Sequence, residues 1–181
     1  MNKVAIITGA GTGVGKATAI KLSDAGFSVI LIGRRKDKLE ETKAVCNNQA
    51  LVFPMNVSNE VDVKKCFEMI KKNFSRIDVL FNNAGTFLSS KTIDEINFNE
   101  WKEVVEVNLN GMFLFSKYAF SLMKDQSPKG GRIINNGSVS SITPRPGSIA
   151  YTATKHAVTG ITKCLALDGR PFNIVCSQID I

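Results

Sequence analysis

Histidine is almost missing from this chain, with His156 alone among 181 residues. The four cysteines, Cys46, Cys66, Cys164 and Cys176, show no Cys-x-x-Cys spacing. No metal-ligand cluster is therefore readable, and reduced thiols in a cytoplasm are expected. No apolar run approaches the roughly 20 residues that span a bilayer, so no membrane attachment is expected. The start, Met1-Asn2-Lys3, leads into Val4-Ala5-Ile6-Ile7, which is too short for a signal-peptide core and has no small-residue cleavage site behind it. The Gly-x-Ser-x-Gly elbow of many hydrolases is absent, since Gly137-Ser138-Val139 is followed by Ser140. There is no P-loop, because Lys16 after Gly15 is followed by neither Ser nor Thr. No solenoid-period repeat, low-complexity segment or linker interrupts the chain.

What is present is an ordinary globular mixture. Hydrophobic residues make up 44% and charged residues 22%, which excludes a disordered chain. The net charge of +7 lies largely in helix-like stretches such as 34–43 and 64–72, mixed with Glu and Asp. Solvated helix faces explain it better than a nucleic-acid surface, because no basic stripe interleaved with aromatics occurs.

Apolar runs alternate with helix-period segments. Strands are predicted at 4–8, 28–32, 50–55, 77–81, 132–135 and 172–177. Helices are predicted at 14–25, 36–46, 59–73, 98–124 and 151–167, the third with Val61, Cys66, Phe67 and Ile70 on its apolar face. Near-continuous Val/Ile/Leu strands between helices imply an α/β fold with a Rossmann-like, doubly wound parallel sheet of six strands.

Thr8-Gly9-Ala10-Gly11-Thr12-Gly13-Val14-Gly15 follows the first strand and opens the first helix. Glycines there let the backbone approach a pyrophosphate, and the helix start supplies free N–H groups and a favourable dipole. The strict Gly-x-Gly-x-x-Gly spacing fails at Val14, and the pattern is Gly9-x-x-x-Gly13-x-Gly15. Thr12 lies within this turn. At the end of the second strand, where an acidic residue would hold a ribose 2′-hydroxyl, stands Gly33, followed by Arg34 and Arg35. No carboxylate repels a 2′-phosphate and two guanidinium groups can pair with one, so NADP(H) is favoured over NAD(H). The plain alternative is that the two arginines only begin a basic surface helix.

Tyr151-Thr152-Ala153-Thr154-Lys155 puts a phenol and an ammonium one helical turn apart on the same face. A free tyrosine titrates near about pH 10, and a neighbouring cation favours a phenolate. Ser138, thirteen residues before Tyr151, lies just past the fifth strand, at the carboxyl edge where ligands bind in parallel sheets. It could donate to a substrate oxygen beside Tyr151. The lone His156 reads as a packing or surface residue.

Together with Asn82-Asn83-Ala84-Gly85 and Asn108, these motifs resemble the short-chain dehydrogenase/reductase family, in order and over nearly the whole chain. The resemblance implies that Tyr151 carries the proton and that Lys155 binds the nicotinamide ribose and tunes Tyr151. It implies that Ser138 polarises the carbonyl and that Asn108 holds a water joining Lys155 to solvent. The Asn82–Gly85 stretch would stabilise the sheet and pass under the adenine ribose. The family often has Asp-Val after the third strand, against adenine; here Asn56-Val57 stands there, and an Asn carbonyl can still accept from the adenine amino group. Family members usually continue through a loop over the nicotinamide, a substrate-binding segment and a seventh strand. One domain over 1–181, short at its C-terminus, is thus expected.

The expected activity is hydride transfer between NADP(H) and a small-molecule carbonyl or alcohol. The alternative is a nucleotide-binding module without turnover, or an inactive fragment lacking the substrate lid. Self-association as a homodimer or higher homo-oligomer is expected through the helix at 101–124 and the helix starting at Tyr151. The first carries Met112, Phe113, Phe115 and Phe120, more apolar side chains than one buried stripe needs.

Overall fold

A computed structural model of the chain describes residues 3–88 and 90–181; Met1, Asn2 and Ser89 lie outside the described residues. The elements follow one another as β1 (Val4–Thr8), α1 (Gly13–Asp24), β2 (Ser28–Gly33), α2 (Lys36–Lys43), β3 (Ala50–Pro54), α3 (Glu60–Phe74), β4 (Val79–Asn82), α4 (Phe98–Val105), α5 (Met112–Asp125), β5 (Gly131–Asn136), α6 (Ile149–Asp168) and β6 (Ile174–Ile179). The strands form one six-stranded sheet in the order β3-β2-β1-β4-β5-β6, with every neighbouring pair parallel.

Side chains in a strand alternate between faces, and each face here has its own core. Val4, Ile6, Ile30 and Ile32 face α3, α5 and α6, where Phe67, Ile70, Phe115, Met123 and Leu165 meet them. Ala5, Ile7, Val29 and Leu31 face α1 and α2 through Ala19 and Leu39. Strands buried on both sides explain why β1 reads as an unbroken apolar run. The chain first builds outward from β1 to β3, then returns to β4 and builds the other way. That reversal between β1 and β4 opens a crevice at the carboxyl ends of the strands.

Two helical expectations need correction. The apolar stripe of α3 is Val63, Cys66, Phe67 and Ile70, whereas Val61 is exposed. Positions 63, 66, 67 and 70 keep the i, i+3, i+4, i+7 spacing that one face requires, and position 61 does not. Val61 lies in the first turn, where the Asn59 side chain caps the helix by accepting from the N–H groups of Val61 and Asp62 at 3.1 and 3.3 Å. The predicted helix at 98–124 is divided by a π-helical segment, Glu106–Gly111. This wider turn carries Asn108 and brings Gly111 against Val57, whose Cγ2 would lie 2.6 Å from a Cβ at that position. Of the apolar side chains thought surplus to the core, Met112 and Phe115 are buried and Phe120 packs edge-on against Phe172. Phe113 is the exposed one.

Behind β4 and β5, Gln126 closes the turn after α5. Its Oε1 accepts from the Ile77 N–H at 2.9 Å, and its Nε2 donates to the carbonyls of Ile77 and Gly130 at 2.9 and 2.7 Å. All three bonds are buried, so their loss leaves backbone groups with no partner. Gln126→Leu, which keeps the volume, should destabilise the chain by about 2–3 kcal/mol in urea unfolding. A change below about 0.5 kcal/mol, typical of a surface site, would contradict this role.

Candidate active site

The carboxyl end of β1 sets the geometry. Gly9 turns the chain there with φ of 67°, and the backbone continues into the start of α1 at Gly13. Gly15 packs against this turn so closely that a Cβ would run into the Gly9 carbonyl and lie 2.5 Å from Asn83 Nδ2. Asn83 closes the contact from β4, with Nδ2 donating to the Thr8 carbonyl at 3.0 Å and to the Gly9 carbonyl at 3.4 Å. The Thr8 hydroxyl oxygen accepts from the backbone N–H groups of Asn83 and Ala84, both at 2.9 Å. The glycine turn and the 82–85 segment are thereby one unit. The first turn of α1 holds no acidic residue, so nothing offsets the positive end of its dipole.

Beside this unit runs a groove of about 610 Å³. Gly9, Thr12, Arg34, Arg35, Asn56, Val57, Asn83, Ala84 and Gly85, all singled out in the sequence, line it. Gly11, Gly33, Lys38, Leu39, Met55 and Val107 line it too. Arg35 is drawn across the glycine turn, its Nη2 donating to Thr12 Oγ1 at 3.4 Å. Asn56 Oδ1 accepts from the N–H and the hydroxyl of Ser58, both at 3.2 Å. Gly13, Val14 and Gly15 open the helix and do not line the groove.

The second cluster sits across β4 and β5. Ser138 directly follows Gly137 in extended backbone at the start of a short 3₁₀ turn, Val139–Ser141. Its Oγ accepts from the Ser140 N–H at 3.1 Å, which leaves the hydroxyl proton to donate elsewhere. Lys155 reaches out of α6, and Nζ donates to the Asn136 carbonyl at 2.7 Å. The same ammonium lies 5.4 Å from the centre of the Tyr151 ring, and Phe87 packs edge-on against that ring at 5.4 Å between centres. Burial pushes the Lys155 ammonium down from 10.5 to about 8, opposed by the Asp180 carboxylate. His156 is exposed, with Nδ1 3.0 Å from the Thr152 carbonyl.

Asn108 is held by both ends of its amide. Oδ1 accepts from the Thr86 N–H at 2.7 Å, and Nδ2 donates to the Thr86 carbonyl at 2.9 Å and to Thr154 Oγ1 at 3.3 Å. The side chain therefore clamps the segment after β4 to α6. Two side chains passed over in the sequence complete the site. Asn135 accepts from Asn82 Nδ2 and donates to Thr162 Oγ1, each at 2.9 Å. Asn136 Nδ2 donates to Asn83 Oδ1 at 3.0 Å. Side-chain amides recurring at strand ends, in Asn82-Asn83 and Asn135-Asn136, were the available signal.

A buried ammonium has a consequence for stability. The unfolded chain holds the Lys155 proton more tightly, at its ordinary 10.5, than the folded chain does at about 8. Stability from this group is therefore missing below pH 8 and rises as pH climbs toward 10.5. The buried thiols of Cys66 and Cys176, pushed up to about 12 and about 11, act in the opposite sense above pH 9. Urea unfolding from pH 7.5 to 10 should show the wild-type chain gaining stability relative to Lys155→Met. Parallel curves for the two proteins would contradict a buried, destabilised ammonium.

Comparison with known proteins adds to this geometry. A family model described as short chain dehydrogenase matches residues 3–180. The 3beta-hydroxysteroid dehydrogenase of Mediterraneibacter gnavus is 34% identical over 180 residues, a match that covers 98% of this chain and 64% of that one. An uncharacterized oxidoreductase of Bacillus subtilis, YxbG, is 39% identical over 170 residues and is covered to 61%. The chain thus spans somewhat under two thirds of these relatives. Among solved structures, a 3-ketoacyl-(acyl-carrier-protein) reductase from Brucella melitensis complexed with NADH superimposes with a TM-score of 0.94 at 30% identity, covering 98% of this chain and 74% of that one. A short chain dehydrogenase from Bacillus anthracis gives 0.93 at 35% identity, with 98% and 75% covered. With the glycine turn, the Asn82–Gly85 segment, Ser138, Tyr151 and Lys155 on one edge of such a sheet, the chain belongs to the short-chain dehydrogenase/reductase family of oxidoreductases.

Proposed function

We propose that this chain carries the hydride-transfer site of an NADP(H)-dependent carbonyl reductase or alcohol dehydrogenase, with Tyr151 as the proton carrier. The observation that carries the reading is Lys155 lying against the Tyr151 ring, with Ser138 just past the end of β5, its hydroxyl proton free to donate, and Lys155 bonded through Asn136 to Asn83 in the wall of a groove of about 610 Å³. The dinucleotide supplies the hydride when bound. The groove fits it: Gly9 bares the backbone at its wall, the start of α1 offers N–H groups to a pyrophosphate, and Asn56 and Val57 would hold an adenine.

In the reductive direction Tyr151 would give its phenolic proton to the carbonyl oxygen of a substrate whose carbonyl carbon takes the hydride the bound dinucleotide would supply. Ser138 donates its O–H to the same oxygen and stabilises the charge gathering there. Beside its bond to Asn136, and lying against the Tyr151 ring, Lys155 keeps further N–H donors that would hold a ribose. Asn108 acts as an ordering residue through Thr86 and Thr154. The exposed side chains of Val139 and Ile142 after Ser138, with Phe87 beside Tyr151, favour a substrate whose carbonyl or hydroxyl sits on an apolar frame. The steroid dehydrogenase relative is in keeping with that frame.

For the cofactor, Gly33 without a carboxylate and Arg34, Arg35 and Lys38 along the groove favour a 2′-phosphate. The Brucella relative is described in complex with NADH, and the preference for a 2′-phosphate in this chain rests on these local side chains. The four cysteines are all free, which fits a reducing cytoplasm. No helix among the described residues is long and apolar enough to cross a membrane. Pairing of two copies through α4, α5 and α6 is supported by the exposed Phe98 and Phe113.

Titration should give tighter binding of NADPH than NADH, and Arg34→Ala should reduce the difference; equal affinities in the unmutated chain would overturn the NADP(H) assignment. Tyr151→Phe should lower carbonyl reduction by about 10²–10⁴-fold while leaving NADPH affinity nearly unchanged. Reduction that survives this substitution would overturn the mechanism. NADPH binding with no reduction of any ketone or aldehyde by the unmutated chain would favour a binding module.

A further inference from the structure

Asp180 directly follows β6, and its carboxylate is turned back onto the corner that presents Ser138. Oδ1 accepts from the Ser138 backbone N–H at 2.8 Å and from Gln178 Nε2 at 2.7 Å. Gln178 Oε1 in turn accepts from the Thr159 hydroxyl at 3.1 Å, one turn of α6 beyond Lys155. The two strand ends stay paired at this point, with the Gly137 N–H donating to the Ile179 carbonyl at 2.8 Å. Gly137 has to be bare for this: a Cβ there would run into the Asp180 carboxylate and lie 2.6 Å from Gln178 Cγ.

Lys155 Nζ bonds the Asn136 carbonyl from β5 and lies against the Tyr151 ring of its own helix, and the Asp180 carboxylate beyond β6 favours its charged form. Of these Asp180 brings the negative charge, and it acts against the burial that drives the proton off. A strand end requires no carboxylate, and water can satisfy an N–H at such an edge. A carboxylate bonded to the backbone of one working residue and, through Gln178 and Thr159, to the helix of another links the two.

We infer that Asp180 is a positioning residue of the hydride-transfer site, fixing the backbone that presents the Ser138 hydroxyl and tying it, through Gln178 and Thr159, to the helix that carries Lys155. This rests on Ser138 and Lys155 being working groups. The hydrogen bond and the charge of Asp180 are separable by substitution. Asp180→Asn keeps an oxygen for the Ser138 N–H and removes the charge. Asp180→Ala removes both.

The test uses the whole 181-residue chain without cofactor, with ¹⁵N-labelled lysine and backbone amides followed by NMR across pH. In Asp180→Asn the Lys155 midpoint should fall below its wild-type value near 8, with Ser138 amide exchange unchanged. In Asp180→Ala the midpoint should fall likewise, and Ser138 amide exchange should quicken about tenfold, as loss of one charge-assisted hydrogen bond implies. Asp180→Glu should restore the charge effect in part. Urea unfolding of each variant verifies that it is folded. Unchanged Ser138 amide exchange in Asp180→Ala overturns the inference whatever the turnover. Quickened exchange in a chain whose reduction survives Tyr151→Phe overturns instead the reading of the site, and the two failures are distinguishable.

Discussion

The contact of Gly9, Gly15 and Asn83 at the carboxyl end of β1 is the constraint around which the site is arranged. With a side chain at Gly15 the first helix would have to move away from the turn, and the groove beside it would lose its wall. From Asn83 a line of hydrogen bonds continues across the sheet edge. Asn136 donates to the Asn83 amide oxygen, and the Asn136 carbonyl receives the Lys155 ammonium. The glycine turn and Lys155 are two ends of one bonded network. Such a network holds distant groups in register without a large apolar contact between them.

The same edge carries a cost in stability. Asn82, Ser116, Asn135 and Thr162 are buried polar side chains bonded to one another, and the Asn82 Oδ1 atom has no hydrogen-bond partner among the described residues. Lys155 keeps its charge in a setting that burial makes unfavourable. An apolar packing of the same volume would be the more stable choice. The two flanking cores, centred on Ile6, Phe115 and Ile70 on one face and on Ile7, Leu31 and Leu39 on the other, supply the apolar burial that offsets these terms.

Most of the framework was legible because buried parallel strands and helical stripes leave direct marks on a sequence. All six strands fall within a few residues of their predicted places. The positions of Ser138 past β5 and of Tyr151 and Lys155 one turn apart on α6 were legible because strand ends and helical spacing fix where such side chains go. What stayed hidden depends on partners distant in sequence. Asp180 meets Ser138 across 42 residues, and Gln126 meets Ile77 across 49. The π segment at Asn108 has no composition of its own, and the apparent apolar surplus of α5 is taken up by contacts such as Phe120 with Phe172.

The central claim is that the glycine turn and the Ser138–Tyr151–Lys155 cluster bind opposite halves of one dinucleotide. The most direct measurement is an amide and lysine side-chain NMR map of the ¹⁵N-labelled chain titrated with NADPH. Signals of Gly9–Gly15 and Ala84–Thr86 should shift together with those of Ser138 and the Lys155 side chain, along one saturation curve. Shifts confined to the glycine turn, or none at all, would contradict the account.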